Sequence, residues 1–258
     1  SIATHPDYES KAREAGKPNP HLSVVPPPLY GQSLQAAGTA NERIEIELSE
    51  RLSDELRELT LRPGVGALTR DLGQFQLCAT ATFALLKRIS GQETITISAP
   101  AHNRVNRQFA SSAGLFIELF PIEVTVDGHE TFASLHKRVQ SAVIDYVRSA
   151  RPGHANPDVN RRLNVVLNYL TAEFASFGGN PVTTRWLHPD SADSHHQLRI
   201  QVFDFDRTGR FTLAVDVATG VLGERQRAGV AAHFETMLNA MVEDWDKPIE
   251  EVDLLSDE

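Results

Sequence analysis

Two adjacent histidines, His195-His196, are the residues of this 258-residue chain best suited by type to do chemistry, because an imidazole with a pKa near neutrality can act as a general base. On a strand two neighbouring rings point to opposite faces, so at most one can serve a given site. The pair therefore reads more simply as solvated residues at a strand entrance. The other histidines, at 5, 21, 102, 129, 136, 154, 188 and 233, lack the i, i+4 pairing and clustered carboxylates of a zinc or di-iron site, and no metal site is expected. Asp204 and Asp206 flank Phe205 just before Arg207-Thr208-Gly209-Arg210, which is the pattern of a charged hairpin end rather than of metal ligation. Gly64-Val65-Gly66 and Gly178-Gly179 lack the strand-to-helix context and the lysine of a phosphate loop, and read as turns. Cys78 falls inside a helical apolar pattern with no cation placed to activate it, so it reads as a small core filler. Arg104 and Arg107 sit in a polar loop, where they can hold an anionic ligand or pair with acidic neighbours; the structural role is favoured.

The elements that must position these residues follow from hydrophobic period. Prolines crowd the first forty residues, including Pro26-Pro27-Pro28, and residues 1–40 read as a connecting arm. Ile44, Ile46 and Leu48 alternate with glutamates as a half-buried strand, and Ser53-Asp54-Glu55 opens a short helix. From Thr69 to Gly91, Leu72, Phe75, Ala79, Phe83 and Leu86 mark an amphipathic core helix. Thr94 to Ala99 reads as a strand, and Leu115 to Val126 as an extended segment broken at Pro121. Phe132, Leu135, Val139, Ala142 and Tyr146 share a helix face that ends before Arg151-Pro152-Gly153. Four strand-like stretches follow at 163–170, 182–187, 198–204 and 211–217, then a helix carrying Val230, Phe234, Met237, Leu238 and Met241. Consecutive strands beside segregated helices predict an α+β fold, a mixed sheet flanked by helices, rather than regular βαβ winding.

Composition bounds the function. With 25 basic and 34 acidic side chains the net charge is −9, which argues against nonspecific attraction to nucleic acid or anionic membrane. One cysteine excludes an intrachain disulfide framework and fits a reducing, cytoplasmic setting. No apolar run reaches the roughly 18–20 residues of a membrane-spanning helix.

Several segments, taken in order from about residue 42 to the end, resemble the C-terminal lobe of a condensation domain of nonribosomal peptide synthetases, within the chloramphenicol acetyltransferase-like superfamily. Leu85 to Glu93 is similar to the helix end that leads, through Ile95 and a Pro-containing loop, to an arginine, here Arg104. Gly114 to Glu123 resembles the family's Gly-x-Phe-Val-Asn-Thr-x-Pro-x-Arg segment. Thr131-Phe132 opens a helix as the family does, Leu167-Asn168-Tyr169 resembles its Phe-Asn-Tyr strand, and Ile249 to Leu255 its closing segment. The departures are equally specific. Nothing supplies the family's His-His-x-x-x-Asp-Gly signature, since His195-His196 runs on into Gln-Leu-Arg-Ile-Gln; Glu118 and Glu123 replace asparagine and arginine; and 151–158 lacks the usual His-Gln-Asp-x-Pro-Phe tract.

The resemblance implies one lobe, residues 41–258, of a two-lobe acyltransferase, with a tail at 246–258 leading towards a following domain. It implies a tunnel wall and carrier-protein docking surface for amide or ester formation between carrier-bound thioesters, with the catalytic histidine supplied by an N-terminal lobe and none by this chain, which alone is expected to be inactive. The implied partners are that lobe, a peptidyl carrier protein and an adjacent adenylation domain. Phosphopantetheine would arrive on the carriers rather than as a cofactor bound here. Arg104, Arg107, Glu118, Asn168 and Tyr169 are the positions expected to face substrate or carrier or to shape the tunnel wall. The alternative is a noncatalytic condensation-like platform for an adenylation or carrier domain.

Overall fold

The computed structural model describes residues 25–32, 38–104, 111–173, 176–205 and 207–255. Six strands form one mixed sheet in the order β1 (Asn41–Glu47), β6 (Thr212–Ala218), β5 (Leu198–Phe205), β4 (Val165–Ala172), β2 (Thr94–Ala101) and β3 (Glu118–Thr125). β4 runs parallel to both β5 and β2, while β1–β6, β6–β5 and β2–β3 are antiparallel. The expected α+β architecture is the one observed.

Helices cover one face. α1 (Glu50–Leu59) is capped by Ser49, whose hydroxyl accepts the Leu52 amide at 3.1 Å, so the helix starts earlier than the predicted Ser53. Ser53 instead is buried, its hydroxyl accepting the Phe211 amide. α2 (Arg70–Ser90) has the predicted bounds: Thr69 accepts the Leu72 amide, and Gly91 ends the helix with φ 71°, where only glycine is unstrained. The amphipathic expectation is too narrow, however, because α2 packs against α3 (Phe132–Ser149), α4 (Glu224–Glu243) and β4, so that Gly73 to Leu86 is buried almost all round. Three of its buried polar side chains bond to backbone carbonyls, while Gln76 Oε1 is left without a partner. Gln74 donates to Leu56 O, Thr80 to Gln76 O, and Thr82 to Cys78 O.

Two further expectations are corrected. β3 runs unbroken through Pro121, opposite Ser98, because β3 is an edge strand and an edge tolerates a proline whose nitrogen faces away from the partner. The stretch 182–187 forms no strand and meets the sheet through side chains instead. There the Arg43 guanidinium lies 5.2 Å from the Trp186 ring, which also packs edge-on to Phe203 at 5.9 Å. Beneath, Asp216 is fully buried and accepts from Arg43 Nε (2.6 Å) and Nη2 (3.0 Å), Gln201 Nε2 (2.6 Å) and Arg199 Nη2 (3.1 Å). Nearer the N-terminus, Leu29 is wholly buried in the core, Asn164 donates to Pro27 O, and Tyr30 Oη lies 2.6 Å from His233 Nδ1.

Candidate functional site

Parallel strands β2 and β4 end on the same side of the sheet, beside the start of α2 and the end of α3, and the four termini enclose a cleft of about 600 Å³. Its apolar lining includes Phe75 and Tyr146, 6.2 Å apart between ring centroids, and Tyr169, which stands edge-on to Phe211. Tyr146 donates its hydroxyl to Pro100 O at 2.9 Å and so ties the end of α3 to the end of β2. Burial pushes the Tyr146 phenol up to about 12 and raises that of Tyr169 as well, so both stay neutral in any physiological setting.

Polar groups enter from two sides. Asp71, in the first turn of α2, accepts from Thr171 Oγ1 at 3.1 Å and lies 3.8 Å from Arg207. Opposite, Arg148 and Arg151 close the α3 end, Arg151 donating to the carbonyls of Val147 and Ala150. Between them Asn103, 3% exposed and with φ 53°, donates Nδ2 to Glu118 Oε2 at 2.8 Å; the same oxygen accepts the Gly153 amide at 2.7 Å. Glu118 thus binds the loop after β2 to the loop after α3. Asparagine is among the few non-glycine residues that adopt positive φ with ease, which fits it to this sharp turn.

Of the predicted site residues, Asn168 and Tyr169 line the cleft directly and Glu118 supports its wall. Arg104 donates to Ser112 O (2.7 Å) and Gly114 O (3.2 Å), with its guanidinium 4.6 Å from the Phe116 ring, so its contacts are to the backbone and ring of 112–116. Arg107 lies outside the described residues.

His195 and His196 precede β5 in a turn, where strand alternation does not apply, and both line a second cavity of about 290 Å³ with Glu118 and Asp193. Burial lowers the His196 pKa and keeps the ring neutral. Asp204 accepts from Thr208 Oγ1 and Gly209 N, the hairpin-end role expected of it, while Asp206 is not among the described residues. Cys78 is buried and its thiol is pushed up to about 12 by desolvation, which suits a core filler. Among the described residues no three His, Cys, Asp or Glu side chains cluster to hold a metal ion, and no helix is long and apolar enough to cross a membrane.

Sequence reasoning missed Asp71, Phe75, Asn103, Tyr146 and Arg151 as cleft residues. Phe75 and Tyr146 were legible only as core positions, because helical period gives a face and not the end of the helix at which that face opens. Asn103 carried a weak signal as an asparagine between a strand and an arginine.

The fold and cleft agree with what comparison with known proteins finds. The condensation domain family model matches residues 13–258, and the chain belongs to that family. Surfactin synthase subunit 1 of Bacillus subtilis (strain 168) is 24% identical over 230 residues, covering 84% of this chain and 6% of that protein. Among solved structures, a mutant starter condensation domain of rhizomide synthetase RzmA in complex with C8-CoA and Leu-SNAC superimposes with a TM-score of 0.76 at 16% identity, covering 99% of this chain and 57% of that one. The X-domain in the complex with OxyB from teicoplanin biosynthesis gives 0.73 at 16% identity, covering 98% and 60%. The fold is thus the chloramphenicol acetyltransferase-like one, and the chain spans little more than half the length of these solved relatives.

Proposed function

We propose that the chain acts as the C-terminal lobe of a nonribosomal peptide synthetase condensation domain and forms one wall of the channel in which an amide, or an ester, is made between carrier-bound thioesters. One observation carries this reading: nearly the whole chain superimposes on 57% of a condensation domain crystallised with C8-CoA and Leu-SNAC, yet its sequence holds no His-His-x-x-x-Asp-Gly. In the reaction the acceptor amine attacks the thioester carbonyl, the C–N bond forms, the C–S bond breaks and the thiol leaves with a proton. The base belongs to an N-terminal lobe.

This chain's part is physical. Phe75, Tyr146 and Tyr169 offer an apolar wall that keeps water from the thioester, while Asn168 and the Asn103–Glu118 pair orient substrate polar groups. Carrier proteins bearing phosphopantetheine, an N-terminal lobe and an adenylation domain are the partners this reading requires.

The experiment is a condensation assay with donor-loaded and acceptor-loaded carrier proteins, run with this chain alone and with a family N-terminal lobe added. Product only after addition is the expected result. A second reading, a noncatalytic docking platform, is supported by the likeness to an X-domain crystallised with another protein and by Glu118 in place of the family's asparagine. Absence of product in both mixtures, with measurable binding of this chain to a carrier or adenylation domain, selects it.

A further inference from the structure

We propose that the 600 Å³ cleft reads the side chain of a carrier-bound aminoacyl group and selects an aromatic side chain over small or charged ones. It rests on the proposed function, which supplies the thioester, and adds the class of residue that the thioester carries.

The selection follows from what the cleft leaves open. Leu72, Phe75, Tyr146 and Tyr169 each pack on the core and line the cleft, and Val147, 46% exposed, completes the wall. Three of these five are aromatic. The rings of Phe75 and Tyr146 stand 6.2 Å apart at an interplanar angle of 33°, so they present one tilted surface. A substrate ring laid on it gains buried area and ring-to-ring contact, whereas a methyl group reaches only part of that area. The volume falls within the range of about 300–1,000 Å³ usual for small-molecule sites, room enough for a ring and for the thioester stem beside Asn168.

Several polar groups of the wall are already spent on the protein itself. Tyr146 donates its hydroxyl to Pro100 O, Arg151 donates to the carbonyls of Val147 and Ala150, and His102 Nδ1 accepts the Arg104 amide. Of the charged residues lining the cleft, Arg148 and Asp71 remain, 77% and 45% exposed. Asp71 already accepts from Thr171 and lies 3.8 Å from Arg207. A charged substrate side chain pressed on the rings therefore loses hydration and finds no buried partner in return, and each sign meets a like charge at the rim. Desolvation excludes charge, and lost contact excludes small side chains.

The test is equilibrium binding of aminoacyl pantetheines to the full chain, with an amide nitrogen in place of the thioester sulfur so that hydrolysis does not intervene. Binding is followed by methyl and amide chemical shifts in nuclear magnetic resonance. The L-phenylalanyl form is expected to bind saturably with a dissociation constant of about millimolar, the range for a ligand this small, with shifts centred on Leu72 and Val147. The L-alanyl, L-glutamyl and L-lysyl forms should each bind about tenfold or more weakly. Phe75→Leu should bring the phenylalanyl form down towards the alanyl one. Val147→Glu, at an exposed position on which folding does not depend, should weaken the phenylalanyl form and favour lysyl over glutamyl by about threefold.

The proposal is overturned if the alanyl form or either charged form binds as tightly as the phenylalanyl one, or if the shifts fall outside the cleft. Neither a carrier protein nor a second lobe enters this measurement. A failed condensation assay with selective binding intact removes the catalytic reading alone, and equal binding of all four forms removes the side-chain selection while leaving the condensation reading in place.

Discussion

Replacing Asp216 by alanine should be among the most damaging single changes available to this chain. The carboxylate has no solvent exposure, and it is the shared counterion of Arg43, whose side chain is 9% exposed, and Arg199, 23% exposed. Alanine leaves both guanidinium groups in the positions the carboxylate fixed. Removing one partner of a buried ion pair costs about 3–5 kcal/mol, and the partial exposure of Arg199 lets it recover some hydration, so about 3 kcal/mol is expected. At about 2–4 °C per kcal/mol for a chain of this size, the midpoint of thermal unfolding falls by about 6–12 °C. Asp216→Asn keeps the volume and removes the charge, so it should cost nearly as much.

The assay is urea unfolding followed by fluorescence in a Trp245→Phe background, which leaves Trp186 as the one tryptophan of the chain. Trp186 lies against Arg43, so loss of Asp216 should also alter the emission of the folded state. A loss below about 1 kcal/mol in both variants would place the network with ordinary surface pairs and refute the reasoning. A large loss in Asp216→Ala with none in Asp216→Asn would assign the effect to packing rather than charge.

Acid should destabilise the fold through buried imidazoles. Burial lowers the pKa of His136, His196 and His233 below the ordinary 6.5, so the unfolded chain binds protons that the folded one refuses, and stability falls as pH drops below 6.5. His136 is 1% exposed, its ring nitrogens lying 2.9 Å from Thr80 Oγ1 and 3.1 Å from Val65 O; a melting temperature unchanged between pH 7.5 and 5.5 would contradict this account. Leu29→Ala should cost about 2–5 kcal/mol, as for any fully buried leucine, although the residue belongs to a proline-rich stretch that composition marks as a connector. A loss under about 0.5 kcal/mol in denaturant unfolding would mean that the segment carries no stability.

The fold was legible where period and caps agreed. Thr69 and Gly91 bracket α2 because a hydroxyl and a left-handed glycine are the two cheapest ways to finish a helix, and both are visible in sequence. The stretch 182–187 misled because Val182, Trp186 and Leu187 have the composition of a strand, whereas the segment meets the sheet through the Trp186 ring, packed on Phe203 and Arg43, and not through backbone pairing. Leu29 was illegible for a related reason: a single apolar residue among prolines has no period, and its burial is decided by what packs above it. The cleft was half visible. Asn168 and Tyr169 came through resemblance in a strand, but Asp71, Asn103 and Arg151 meet them only because β2, β4, α2 and α3 end at one corner of the sheet. The bond between Asn103 and Glu118 spans fifteen residues and has no sequence signature at all.

The proline in the outermost strand has a consequence for how this protein meets others. A sheet margin normally offers a row of unsatisfied amides on which a foreign chain can lay itself, the route by which exposed strands aggregate or swap. β3 spans only eight residues, and Pro121, near its middle, has no amide hydrogen to give, so the row is interrupted where an incoming strand would need continuity. Recruitment by extension of the sheet is thereby discouraged on that side. A protein that docks here must recognise side chains, on the open face or at the cleft, and its specificity is then written in residues that can vary one at a time.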